Sequence, residues 1–208
     1  MLFDLHTHCK INESDGIVNC SFDDDFSLFL RFSLGIHPWD VDEHWEEKYA
    51  MLVGLLKNPP VGSFHDRLCA IGEIGMDKLR GGDMKIQEIC FMNQLALADS
   101  YQLPVIIHAV KTINEVVTCL SRFQLSKQVV FHGFRGKPEQ TAFLLSKGYY
   151  LSFGPKFNPE SLRLAYQSDR MFLETDDSGM SIADVYSLAA NSLSISLTDI
   201  SVPGIFTS

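Results

Sequence analysis

Six residues of types that bind divalent metal ions stand where short apolar runs of this sequence end. FDLHTH supplies His6 and His8, LCAIGE supplies Glu73, PVIIH supplies His108, QVVFH supplies His132 and MFLETD supplies Asp176. His6 and His8 are two apart, so on an extended strand both imidazoles point to one side, as two ligands of one ion must. Nitrogen and oxygen donors without thiolates suit zinc, manganese, nickel, or magnesium with water completing its shell, and a carboxylate can join two ions. The chemistry such a set supports is hydrolysis by activated water. Any one of these histidines, taken alone, reads better as a hydrogen-bonded structural residue. Five separate runs that each finish on a ligand type point instead to a shared site.

Weaker candidates surround this set. His37, in GIHPW, also follows an apolar run, with Pro38 fixing the chain after it; a substrate contact and a structural role are both open. Lys78 and Arg80 follow the Glu73 run and precede Gly81-Gly82, on a loop where they could hold an anionic group of a substrate. His44 and His65 have no strand end to carry them and read as surface residues. Trp39 and Trp45 read as core or rim packing rather than as a base-stacking platform.

Positioning such residues requires a scaffold that brings distant strand ends to one face, and the rhythm of the chain supplies it. Apolar runs cover Met1 to Leu5, Arg31 to Ile36, Leu68 to Ile71, Pro104 to Ile107, Gln128 to Phe131, Tyr149 to Phe153 and Met171 to Leu173. Helical spacing fills Asp83 to Tyr101, Thr112 to Phe123, Lys137 to Lys147, Pro159 to Gln167 and Ser181 to Leu193, with Pro138 suited to a first turn and Gly148 to a stop. Continuous apolar strands alternating with helices imply an α/β fold with a parallel sheet, either a closed barrel or an open doubly wound sheet. No GxGxxG or GxxxxGK[ST] follows a strand, which argues against a nucleotide-binding open sheet.

The chain has 208 residues, 46% hydrophobic and 21% charged, as expected of one globular domain over residues 1–208. Its five cysteines are scattered and form no CxxC pair, and its amino terminus has no basic segment ahead of a long apolar stretch. A reduced, cytoplasmic monomer with no membrane partner is the expectation. A formal charge of −9 argues against non-specific attraction to a polyanion, although metal-binding carboxylates contribute to that charge.

In order, FDLHTH, GIHPW, AIGEIGMD, PVIIH, VVFHGFRG, GYYLSFG and LETDD resemble the TatD-related deoxyribonuclease family, within the amidohydrolase-like metal-dependent hydrolases. The motifs span residues 3 to about 179. This resemblance implies a TIM-type (β/α)8 barrel and a nuclease that uses one or two divalent ions (Mg, Zn or Mn) to remove nucleotides from DNA 3′ ends. It implies that His6 and His8 are ligands of one ion, Glu73 joins two ions, and His108 and His132 hold the second. Asp176 would bind the first ion and orient the attacking water, so Asp176 and Glu73 are the expected catalytic residues. A small phosphoester, amide or lactone is the alternative substrate class, and a metal-binding scaffold with little catalysis the second alternative. Only 28 residues lie between His8 and His37, with Ile17 to Cys20 the sole strand candidate. The barrel is therefore expected to be trimmed, its second βα unit reduced to a loop-like segment.

Overall fold

Several of the short apolar runs are rich in Val, Ile and Phe, and these residues favour the pleated backbone when both faces are covered. The computed structural model describes residues 2–10 and 15–206. In it eight strands form one sheet in chain order: β1 (Phe3–Thr7), β2 (Asp15–Cys20), β3 (Phe32–Leu34), β4 (Leu68–Asp77), β5 (Val105–Val110), β6 (Val129–Phe131), β7 (Tyr150–Phe153) and β8 (Met171–Leu173). A parallel bridge joins Thr7 at the end of β1 to Asp176 beyond β8. Sequential parallel order, with the first strand beside the last, is that of the expected (β/α)8 barrel. The described helices are α1 (Trp45–Lys57), α2 (Phe64–Arg67), α3 (Met84–Ser100), α4 (Ile113–Leu120), α5 (Pro138–Ser146), α6 (Pro159–Gln167) and α7 (Ile182–Leu193). None is long and apolar enough to cross a membrane.

The chain packs as two compact units, residues 1–18 with 130–208, and residues 19–129. In the first, β1 pairs with β2, β6 with β7 and β7 with β8. Its core holds Phe3, Leu5, Phe131, Phe153 and Phe172, with Phe206 stacked on Phe3 at 6.5 Å. The Tyr186 hydroxyl on α7 donates to the Phe3 carbonyl at 3.0 Å, and burial pushes its phenol up to about 12. Helix starts follow from the local sequence: Pro138 and Pro159 occupy first-turn positions, and the Asn158 and Ser181 side chains accept the amides that begin α6 and α7. Gly148 stops α5 with φ +84°.

In the second unit β4 pairs with β3 and β5. Phe26, Phe32 and Phe64 form a ring cluster with centroids 5.1 to 5.2 Å apart. Trp45 of α1 and Cys90 of α3 pack with Ile36 and Val41, and Asp83 caps α3 by accepting the Lys85 amide at 2.7 Å.

Several elements, the short α2 among them, differ from the sequence reading. Helix α1 is absent from it, because Met51, an apolar residue 50% exposed, and Gly54 blur the helical stripe that Trp45, Leu52 and Leu56 bury. Strand β4 runs ten residues to Asp77, where an end near Ile71 is expected, because Glu73 and Asp77 are both buried despite their charge. The second βα unit is trimmed as expected: a single 3-10 turn, Phe26–Leu28, stands where a barrel has a helix. Its strand, however, is formed over Asp15–Cys20 rather than being loop-like. Met1, where the first run begins, lies outside the described residues.

Candidate metal centre

In the first unit, β1 carries His6 into the interior, fully buried, and ends one residue before His8, whose side chain is 44% exposed. Backbone bonds tie Asp176 to this strand: its amide donates to the His6 carbonyl at 3.0 Å and its carbonyl accepts the His8 amide at 3.3 Å. Asp176 adopts φ +52°, which turns the chain at that point. Its Oδ1 then lies 3.9 Å from His6 Nε2 and 3.6 Å from His8 Nε2. Two atoms that each bind one ion at about 2.1 Å are roughly 3.0–3.4 Å apart, so small side-chain adjustments close this triad on a cation. His6, His8 and Asp176 thus fit a divalent metal by donor chemistry and by spacing.

His132, directly after β6, stands beside His6 with ring centroids 4.4 Å apart, and its Nδ1 is 3.4 Å from Glu174 Oε1. Glu174 is completely buried and accepts the Gly133 amide at 2.5 Å. Burial would raise its carboxyl, but the facing His132 and His6 more than offset that and hold it below the ordinary range. His132, Glu174 and Asp176 form a further group able to hold an ion. Next to it, Asp4 accepts the Thr175 amide at 3.0 Å and its hydroxyl at 2.7 Å, fixing the LETD turn. Burial pushes the Asp4 carboxyl up to about 7 in spite of these bonds.

In the second unit Glu73 is the centre. Its Oε1 lies 2.6 Å from His108 Nδ1 and 3.0 Å from His37 Nε2, and all three side chains could share an ion. His37 Nδ1 accepts the Trp39 amide at 3.1 Å, so the ring proton of the neutral imidazole sits on Nε2 and is donated to Glu73. That makes His37 a group that orients Glu73 and leaves His108 as the better ligand. The Glu73 amide donates to Asn19 Oδ1 at 3.1 Å.

Strand β4 also presents Asp77, four residues from Glu73 and therefore on the same face. Asp77 Oδ2 accepts Trp39 Nε1 at 2.7 Å and lies 3.2 Å from His108 Nε2. Its Oδ1 accepts the Leu79 and Arg80 amides at 2.7 and 3.1 Å. Burial raises this carboxyl, but the bonds from Trp39, Leu79 and His108 outweigh it and leave the group below its ordinary value. Buried Gln87 of α3 closes the loop from the other side, accepting the Asp77 amide at 2.8 Å and donating to the Asp77 and Gly82 carbonyls at 3.2 and 3.0 Å. Gly75, between Glu73 and Asp77, has φ +144°, and a Cβ there would stand 2.0 Å from the His108 carbonyl oxygen. Only glycine lets β4 and β5 approach so closely at that point.

Each expected ligand therefore has candidate partners within its own unit: His6 and His8 with Asp176, His132 with Glu174 and Asp176, and Glu73 with His108 and His37. Glu73, His108 and His6 lie within their strands rather than at the ends, because the strands continue past the apolar runs. Lys78 is ion-paired with Glu115, and the Arg80 guanidinium lies 3.6 Å over the Trp39 ring. Trp39 is 42% exposed, a rim position, whereas Trp45 is core. Sequence reading missed Asp77 and Glu174. The even spacing of Glu73, Gly75 and Asp77 was the available signal for the first; Glu174, inside LETD, offered none distinct from its neighbour Asp176.

The family model described as TatD related DNase matches residues 5–178. An uncharacterized metal-dependent hydrolase of Haemophilus influenzae is 34% identical over 166 residues, which cover 74% of this chain and 61% of that protein. The 3'-5' ssDNA/RNA exonuclease TatD of Erwinia tasmaniensis is 29% identical over 151 residues, 68% of this chain and 56% of that protein. The chain thus spans about three fifths or less of the length of these relatives. The crystal structure of YjjV, a TatD homologue from Escherichia coli, superposes with a TM-score of 0.75 at 23% identity, covering 92% of this chain and 90% of that one. That likeness carries the fold. The motifs and the match over most of the chain carry the family: this chain belongs to the TatD related DNase family.

Proposed function

We propose that the chain is a divalent-metal-dependent phosphodiesterase that removes nucleotides from the 3′ ends of DNA, with His6, His8, Glu73, His108, His132 and Asp176 as its ligand set. The observation that carries this reading is the pairing of buried or half-buried carboxylates with imidazoles in each unit, without a thiolate among them. Mg, Mn or Zn bound by such donors supplies charge neutralisation at the phosphate and water acidic enough to attack near neutral pH. The chain's own groups supply the rest. The Asp176 carboxylate accepts a proton from the attacking water, His37 fixes the orientation of Glu73, and Lys78 and Arg80 lie on the loop after β4, where barrel substrates bind.

A second reading, hydrolysis of a small phosphoester, is favoured by one observation: both basic groups of that loop are already engaged, Lys78 by Glu115 and Arg80 by Trp39. A 5′-labelled single strand incubated with the protein and Mg²⁺ or Mn²⁺ separates the two. Stepwise shortening that EDTA abolishes and Asp176→Asn reduces at least about 100-fold is expected. An intact strand, together with metal-dependent cleavage of a small phosphoester by wild type but not by Asp176→Asn, replaces the nuclease by the second reading.

A further inference from the structure

We propose that Asp77 is a positioning residue that sets the tautomer of His108, keeping the proton on Nε2 so that the Nδ1 lone pair can bind a metal ion beside Glu73. The inference rests on the metal-hydrolase reading for its consequence but not for its geometry. Asp77 is buried, and every group facing its two oxygens besides His108 is an obligate donor: Trp39 Nε1 on Oδ2, and the Leu79 and Arg80 amides on Oδ1. A carboxylate surrounded this way has only acceptors to offer, so the His108 Nε2 that faces it at 3.2 Å must carry the proton. His108 Nδ1 then faces Glu73 Oε1 at 2.6 Å. Two acceptors at that separation repel unless a proton or a cation is held with them, which makes this the place where a positive charge is demanded. Metal-bound histidines are generally oriented by such a carboxylate on their other nitrogen.

The substitution Asp77→Asn reverses the arrangement. An amide can present its oxygen to only one side. Turning that oxygen toward the Leu79 and Arg80 amides leaves one unsatisfied donor, the Trp39 indole, whereas the opposite orientation leaves two. The favoured orientation puts the amide NH2 against His108 Nε2, which becomes the acceptor, and the ring proton moves to Nδ1, blocking it.

The test is 15N NMR of the histidine side chains in the full chain, with and without Zn²⁺, alongside Mn²⁺ titration followed by calorimetry. In wild type, His108 Nε2 is expected at the protonated position throughout. In Asp77→Asn it is expected unprotonated in the metal-free protein, with Mn²⁺ affinity lower by about 10- to 100-fold. Trp39→Phe, which removes one donor but not the acceptor, is expected to keep the wild-type tautomer and to bind Mn²⁺ within about twofold of wild type. An unprotonated Nε2 in wild type overturns the proposal even if Asp77→Asn does not fold, as does an Asp77→Asn protein with unchanged tautomer and affinity. If wild type binds neither ion, the metal-hydrolase reading fails while the NMR comparison still decides what Asp77 does.

Discussion

Replacing Glu73 by glutamine is expected to lower kcat/KM for metal-dependent hydrolysis by on the order of 10³-fold, about 4 kcal/mol of lost transition-state stabilisation. The glutamine side chain keeps an oxygen that can accept from His37 Nε2, so the fold and the His37 contact survive. What disappears is the negative charge opposite His108 Nδ1, and with it the reason for a cation to reside there. Metal content of the purified variant should fall in parallel with activity. The predicted pattern is loss of both with an unchanged melting curve in the presence of EDTA. A Glu73→Gln variant that retains full metal content and activity would remove Glu73 from the ligand set.

Gly75→Ala is expected to be the most damaging small substitution for stability. The new methyl would stand 2.0 Å from the His108 carbonyl oxygen, on backbone held at φ +144°. Overpacking and positive-φ strain add to about 3 kcal/mol or more, a large share of the 5–15 kcal/mol that holds a typical domain together. A melting temperature lower by roughly 6–12 °C is the expected reading by calorimetry. The same change pushes β5 away from β4, so metal affinity should fall with stability, in contrast to Glu73→Gln. A loss under about 1 kcal/mol would show that β5 yields at this point without cost.

How far the sequence reveals this molecule depends on whether charge and structure agree locally. Helices α3, α5, α6 and α7 are legible because caps and stops stand at their ends: Asp83, Pro138 with Gly148, Asn158-Pro159, and Ser181. Strand β4 is only half legible, since Glu73 and Asp77 look like the end of a buried run and are in fact its continuation. The six expected ligands are legible as types at intervals. Their partners are less so, because Asp77, Glu174, Asn19 and Gln87 act through contacts made across 10 to 54 positions of sequence, which no local pattern encodes. His37 illustrates the limit: its tautomer is settled by the amide of Trp39, a detail of backbone geometry rather than of residue type.

The segment that follows β4 carries a kinetic consequence. The amides of Asp77, Lys78, Leu79 and Arg80 are all bound, to Gln87 Oε1, the Val110 carbonyl and Asp77 Oδ1. Although the last two belong to a connection rather than a strand, their hydrogens cannot be traded for solvent deuterium by ordinary loop fluctuation. Those of Leu79 and Arg80 must wait for the buried Asp77 side chain to let go, and that of Asp77 for Gln87 of α3. In deuterated water this loop should keep time with the sheet it leaves, long after the exposed turns of the chain have exchanged.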